Sequence, residues 1–136
     1  MKRLFLDANV LFTAAHNSDG KAAFVISQSV RGRWQVLSSD YAVEEARRNL
    51  RRKFPDRMAD LERLLAGVEI VKSAGKSMTL PALPEKDQPI YVTAVASRAT
   101  HLLTGDIRDF GPYMNEPATT QGVTIQTVAD FLESLV

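Results

Sequence analysis

The sequence has no cysteine, which excludes both a disulfide framework and a thiolate zinc site. It also lacks a long hydrophobic run. The opening Met1-Lys2-Arg3-Leu4-Phe5-Leu6 meets a carboxylate at Asp7 after three apolar residues, far short of a signal-peptide core or a membrane span. The N-terminus is therefore expected to belong to the fold, the protein to be cytoplasmic, and a membrane to be no partner. No internal repeat, coiled-coil heptad or low-complexity segment argues for an elongated architecture. A strong net charge is missing as well: the formal value is +1, which exerts no overall pull on nucleic acid. The charges are nonetheless uneven, with 12 Lys/Arg against 8 Asp/Glu in residues 1–68 and 5 against 8 in residues 69–136. What is present is 45% apolar residues in a chain of 136, enough for one core and one domain over 1–136.

The pattern along the chain alternates between strand and helix. Leu4-Phe5-Leu6 is a short apolar run ending at Asp7, as a buried strand does. Ala22, Val25, Ile26, Ser29 and Val30 have helical spacing up to Arg31-Gly32-Arg33. Residues Trp34 to Ser38 form a second strand, and Ser39 or Asp40 caps a helix with Tyr41, Ala42, Ala46, Leu50 and Phe54 on its apolar stripe. Pro55-Asp56 breaks it; Met58, Leu61, Leu64 and Leu65 mark another helix, and residues 68–71 a third strand. Gly75 to Pro84 reads as loop. Asp87-Gln88-Pro89 opens an amphipathic helix with Ile90, Ala94, Val95 and Ala99 buried. Residues 101–104 and 123–125 supply two more strands, with a polar turn after Asp106 and a last helix through Leu135. The expected fold is an α/β three-layer sandwich, a central parallel β-sheet flanked by helices. In such folds chemistry gathers at the carboxyl ends of the strands, where strand order reverses.

Each carboxylate has an ordinary explanation. Asp7 and Asp87 can cap helices, Glu44 and Glu45 complement a helix dipole, and Asp106 and Asp109 flank a turn. Together they fall on one edge of one sheet, where carboxylates repel and raise one another's pKa unless a cation intervenes. Hard oxygen ligands favour magnesium or manganese (Mg2+ or Mn2+), and an open acidic site of this kind suits phosphodiester hydrolysis.

Leu6-Asp7-Ala8-Asn9-Val10-Leu11 resembles the first motif of PIN-domain nucleases. Glu45-Ala46-Arg47-Arg48-Asn49-Leu50 resembles the second, Asp87 through Ile90 and Ala94 the third, and Thr104-Gly105-Asp106-Ile107-Arg108-Asp109-Phe110 the closing one. The matches span residues 4–111. The resemblance implies a divalent-metal-dependent endoribonuclease with Asp7, Glu45, Asp87 and Asp106 as catalytic and metal-binding carboxylates. It extends to the small VapC-type toxins of toxin-antitoxin pairs, which implies an RNA substrate, an antitoxin partner and, at family level, a homodimer. The motif register favours Glu45 over Glu44. Asp109 binds a second ion or orders the loop, and Asn9 and Thr104 support the ligands from behind or serve only as turn and cap residues.

With no cysteine, and with His16 and His101 outside the acidic motifs, the chemistry calls for no side-chain nucleophile. Exchanging Asp7 for Asn should then abolish cleavage without unfolding the chain. Arg48 and Arg52 lie three and seven residues beyond Glu45, on its side of the helix, and are the RNA-binding candidates; Arg47 and Arg51 turn away. Two other readings stand beside this one. A phosphoryl-accepting pocket would use Asp7 as nucleophile, but such phosphatases want an Asp where Asn9 stands. A non-catalytic PIN-like domain would bind RNA or protein without turnover, and would have little need of several mutually repelling carboxylates.

Overall fold

The computed structural model describes residues 1–75 and 80–136. Leu4, Phe5 and Leu6 are all fully buried, which consecutive residues of a strand achieve only when both faces of the sheet are covered. Their strand, β1 (Arg3–Leu6), is the middle of five, joined by β2 (Gln35–Ser39), β3 (Glu69–Val71), β4 (His101–Leu103) and β5 (Thr124–Gln126). Every neighbouring pair is parallel, in the order β3-β2-β1-β4-β5. The chain thus steps outward from β1 to β3, then returns to the other side of β1 to lay down β4 and β5. The reversal lies between β1 and β4, and it opens a crevice at their carboxyl ends.

Helices α1 (Ala8–His16), α2 (Lys21–Val30), α3 (Asp40–Lys53), α4 (Met58–Leu65), α5 (Gln88–Ala96), α6 (Ile107–Phe110) and α7 (Val128–Glu133) flank this sheet as the outer layers of the expected three-layer sandwich. One continuous core holds it together, built around Phe5, Leu11, Leu37, Leu50, Leu61, Tyr91, Leu102, Phe110 and Phe131. Among the described residues no helix is long and apolar enough to cross a membrane.

Several local expectations are corrected. Trp34 precedes β2 instead of opening it; the ring is buried against Phe131 and its Nε1–H donates to the Val25 carbonyl at 2.8 Å. Of the two candidate caps for α3, Ser39 takes the role by accepting from Ala42 N, while Asp40 accepts from the Ser73 backbone and hydroxyl. The buried stripe of α3 is Ala42, Val43, Ala46 and Leu50, whereas Tyr41 and Phe54, at its two ends, are partly exposed. Helix α5 is not amphipathic: Gln88, Ile90, Tyr91, Val92, Thr93 and Ala94 are all buried, because the helix is enclosed by neighbours on most sides. The polar turn after Asp106 is a short helix, α6, which continues into a 3-10 turn over Gly111–Tyr113. Within the expected Gly75–Pro84 loop, residues 76–79 lie outside the described part of the structure.

Candidate metal centre

The acidic site starts from the two strand ends at the reversal point. Asp7 follows β1, and its backbone N–H still donates to the Leu103 carbonyl of β4 at 3.0 Å. Its side chain is 4% exposed and caps α1 by accepting from Ala8 N at 2.7 Å. The other oxygen accepts from the Thr104 hydroxyl at 2.8 Å and the Asn9 amide at 3.3 Å. Thr104 Oγ1 in turn accepts from Asp106 N at 3.1 Å, and Asn9 Oδ1 from Gly105 N at 2.8 Å. Asn9 and Thr104 therefore tie the loop after β1 to the loop after β4 as well as holding Asp7. Burial is the main cause that raises the Asp7 pKa to about 6; the bonds from Thr104 and Ala8 work against it, and the charges of Glu45 and Asp106 add to it.

Asp87 stands at the N-cap position of α5 but makes no capping bond. Its Oδ2 is buried without a hydrogen-bond partner, a condition it shares among the described residues with Gln126 Oε1 alone. Burial, followed by the charge of Asp7, raises the Asp87 pKa to about 7; Lys86 opposes this, and Asp106 and Asp109 reinforce it. The capping explanation thus fails for Asp87, and a buried carboxylate oxygen with nothing to bond is costly unless a cation meets it.

Asp87, Asp106 and Asp109 bring one carboxylate oxygen each within 4.8 Å of one another, all three half-buried. Asp106 also caps α6, accepting from Asp109 N at 3.0 Å. Lys86 Nζ lies 3.9 Å from Asp109 Oδ2 at the rim. Glu45, on the second turn of α3, stands outside that trio, though its charge reaches both Asp7 and Tyr41. Glu44 turns outward to an exposed pair with Arg47. A set made only of carboxylate oxygens, with one of them buried and unpartnered, fits a hard divalent cation. Asp87, Asp106 and Asp109 would hold it, with Asp7 beside them.

Of the basic residues on α3, Arg47 is engaged by Glu62 through two bonds of 2.9 Å. Arg48 is exposed, and Arg52 is exposed with one long contact to Asn49 at 3.4 Å. His101 lies at the start of β4, away from the acids, where burial lowers its pKa. Sequence reasoning missed Tyr41, which was placed on the apolar stripe. Its hydroxyl donates to the Lys86 carbonyl at 2.9 Å and so braces the turn that carries Asp87; burial and the charges of Glu45 and Asp87 raise its pKa. Gln88 was missed too. Its buried amide accepts from Leu80 N and donates to the Leu80 and Leu83 carbonyls, fixing the segment that leads into Asp87. A large polar residue directly after the acid, in an otherwise apolar helix, was the available signal.

A PIN-domain family profile matches residues 3–108. No curated protein matches the sequence. Among solved structures the fold is similar to that of VapBC2 from Rickettsia felis bound to a DNA fragment from its promoter, with TM-score 0.65 and 15% identity over 92% of this chain and 98% of that one. It is also similar to DNA-bound VapBC from Salmonella typhimurium, with TM-score 0.62 and 16% identity over 94% and 99%. A third similar structure is Mycobacterium tuberculosis VapC20, a sarcin-ricin loop cleaving toxin, with TM-score 0.53 and 8% identity over 80% and 94%. The profile spans most of the sequence, including Asp7, Glu45, Asp87 and Asp106, and the chain belongs to the PIN-domain family.

Proposed function

We propose that this chain is a divalent-metal-dependent endoribonuclease and the toxin of a toxin-antitoxin pair, acting on RNA in the cytoplasm. The observation that carries the reading is the buried, unpartnered Asp87 Oδ2 among the Asp87, Asp106 and Asp109 carboxylates, at the sheet's reversal point beside Asp7. Family membership supports a nuclease, and the fold likeness to the VapBC structures supports the toxin role.

When bound, magnesium or manganese supplies positive charge for the scissile phosphate and acidifies water. Asp87, Asp106 and Asp109 would hold the ion, and Asp7 and Glu45 add their charge to the acidic site. Asn9 and Thr104 keep Asp7 in a single orientation, which matters because misplacing a reacting group by an ångström is costly in rate. Arg48 and Arg52 attract the RNA backbone, while Arg47 remains with Glu62. An antitoxin and a second copy of the chain complete the proposal as partners.

The test is cleavage of a mixed cellular RNA pool by the purified chain, with magnesium or manganese against chelator, beside Asp7→Asn. Discrete metal-dependent products that vanish in the variant establish the ribonuclease. Identical background in every lane, with RNA still bound, transfers the reading to a non-catalytic RNA binder. Growth arrest on induction in a bacterial host, absent for Asp7→Asn, tests the toxin role.

A further inference from the structure

Asn9 and Thr13 lie one turn apart on one face of α1, and Asn17 caps the end of that helix. Asn9 belongs to the acidic centre. Along the same face runs a cavity of about 680 Å3, bounded on the far side by Lys21 and Ala22 of α2 and by Val128 and Ala129 of α7. Its near wall is the acidic site itself, since Asn9, Thr104, Gly105 and Asp106 line it too. The volume lies within the range of about 300–1,000 Å3 typical of pockets that take small organic ligands.

The lining has two characters. Val10, Ala22, Val128 and Ala129 offer an apolar surface, while Thr13, Asn17 and Lys21 add a hydroxyl, a carboxamide and an ammonium. None of these three side chains has a partner among the described residues. A carboxamide and a hydroxyl supply both donors and acceptors, as recognition of a base edge requires. An ammonium lining the same cavity as Asp106 suits the next phosphate along a strand whose scissile phosphate sits at Asp106.

We propose that this cavity binds the nucleotide next to the scissile phosphate of a single-stranded RNA, with Thr13 and Asn17 reading the base and Lys21 holding its phosphate. The assignment rests on the ribonuclease reading and adds to it a source of sequence preference. Apolar walls stack against any base, so discrimination falls to the two neutral polar side chains, while Lys21 contributes affinity without preference.

Three variants test it, all at positions away from the carboxylates. Asn17→Ala removes the amide and Lys21→Ala the charge. Gly20→Ala adds a methyl that would approach Asn17 Nδ2 at 2.7 Å and must displace that amide; the Gly20 backbone, at φ −86° and ψ 176°, accepts alanine. Affinity for a random hexaribonucleotide pool is read by fluorescence anisotropy in the Asp7→Asn background with magnesium, and cleavage ends of the pool are sequenced in the Asp7 parent. Asn17→Ala and Lys21→Ala should each weaken binding about fivefold to tenfold. Asn17→Ala and Gly20→Ala should relax preference at the same single position beside the cut, raising KM with kcat unchanged; Lys21→Ala should leave preference intact and flatten the salt dependence. Unaltered affinity and unaltered cleavage ends in all three would overturn the assignment and leave the cavity to a protein occupant. A parent that cuts no RNA would refute the nuclease, and the binding measurements would still decide the cavity.

Discussion

Asp7→Asn should reverse its effect on stability with pH, because the wild-type carboxylate is held where its charge is disfavoured. In the folded chain the Asp7 pKa is raised from 3.8 to about 6, chiefly by burial. Between those values the folded state keeps a proton that the unfolded state has released, so stability falls as pH rises from about 4 to about 6 and stays lower above that. The shift of about two units corresponds to about 3 kcal/mol of lost stability at neutral pH without a cation. Asparagine carries no such penalty, but its amide must replace the oxygen that accepts from Thr104 and Asn9, at a cost of about 1–2 kcal/mol.

The metal-free variant should therefore be about 1–2 kcal/mol more stable than the parent at pH 8 and less stable by a similar amount at pH 4. In thermal scans this corresponds to a Tm higher by roughly 4–8 °C at pH 8 and lower by a like amount at pH 4. Removing the Asp7 charge also relieves Asp87, whose pKa it raises second only to burial, and this adds to the gain at high pH. Chelator-treated protein scanned from pH 4 to 8 gives the answer. A Tm difference constant across that range would refute the argument, since it would mean that Asp7 is as willing to ionise in the fold as in the unfolded chain. Saturating magnesium at pH 8 should erase the variant's advantage, because an ion that binds only the intact folded site stabilises the parent alone.

Thr104→Val keeps the shape of the side chain but loses the hydroxyl that joins Asp7 to Asp106 N; magnesium affinity by calorimetry should fall about 10- to 100-fold, as when a ligand's supporting partner is removed. Gln88→Leu leaves Leu80 N and the Leu83 carbonyl without their bonds, while the Leu80 carbonyl keeps the one from Leu83 N, so urea denaturation should show a loss of at least about 2 kcal/mol at 1–3 kcal/mol per buried orphan. Arg48→Ala should lower RNA affinity and reduce the salt slope by about one, in titrations at several salt concentrations. Arg47→Ala should leave both unchanged, because its guanidinium is already held by Glu62, and should cost under about 1 kcal/mol of stability, as exposed pairs do.

Much of the fold was legible because its signals are local. Leu4 to Leu6 reads as a buried strand from three adjacent residues, and the five strands and the longer helices were all expected near where they stand. Ends were harder. Tyr41 and Phe54 share the period of the α3 stripe, yet at the two ends of the helix that stripe no longer faces the core. Helix α5 defeated periodicity because a helix enclosed on most sides has no polar face to mark it. The acidic residues could be named from the sequence, but not what each one touches. Adjacent Glu44 and Glu45 differ only in direction, and that direction became visible once Arg47 was seen to pair with Glu44 and Glu62. Thr13, Asn17 and Lys21 were illegible for another reason: exposed polar residues on helices are ordinary, and only the convergence of α1, α2, α7 and the loop after β4 makes them one surface.

That convergence explains why the site can hold so much unfavourable charge without coming apart. Asp7 is confined by bonds from Ala8, Thr104 and Asn9, while Asn9 also accepts from Gly105 N of the opposite loop and Thr104 from Asp106 N of its own. Repulsion between Asp7 and Asp106 therefore has no soft direction in which to relax at the reversal point: separating these two acids means breaking bonds that also connect β1 to β4 at their carboxyl ends. The cost is expressed in protonation, with Asp7 raised to about 6 and Asp87 to about 7 chiefly by burial and further by the neighbouring charges. Near neutral pH the metal-free site thus retains part of a proton that a divalent ion must displace, and ion affinity should climb with pH until both acids are ionised. Burial makes these carboxylates poor at ionising, while the bonds to Asp7 oppose that shift and hold the two strand ends together for a cation.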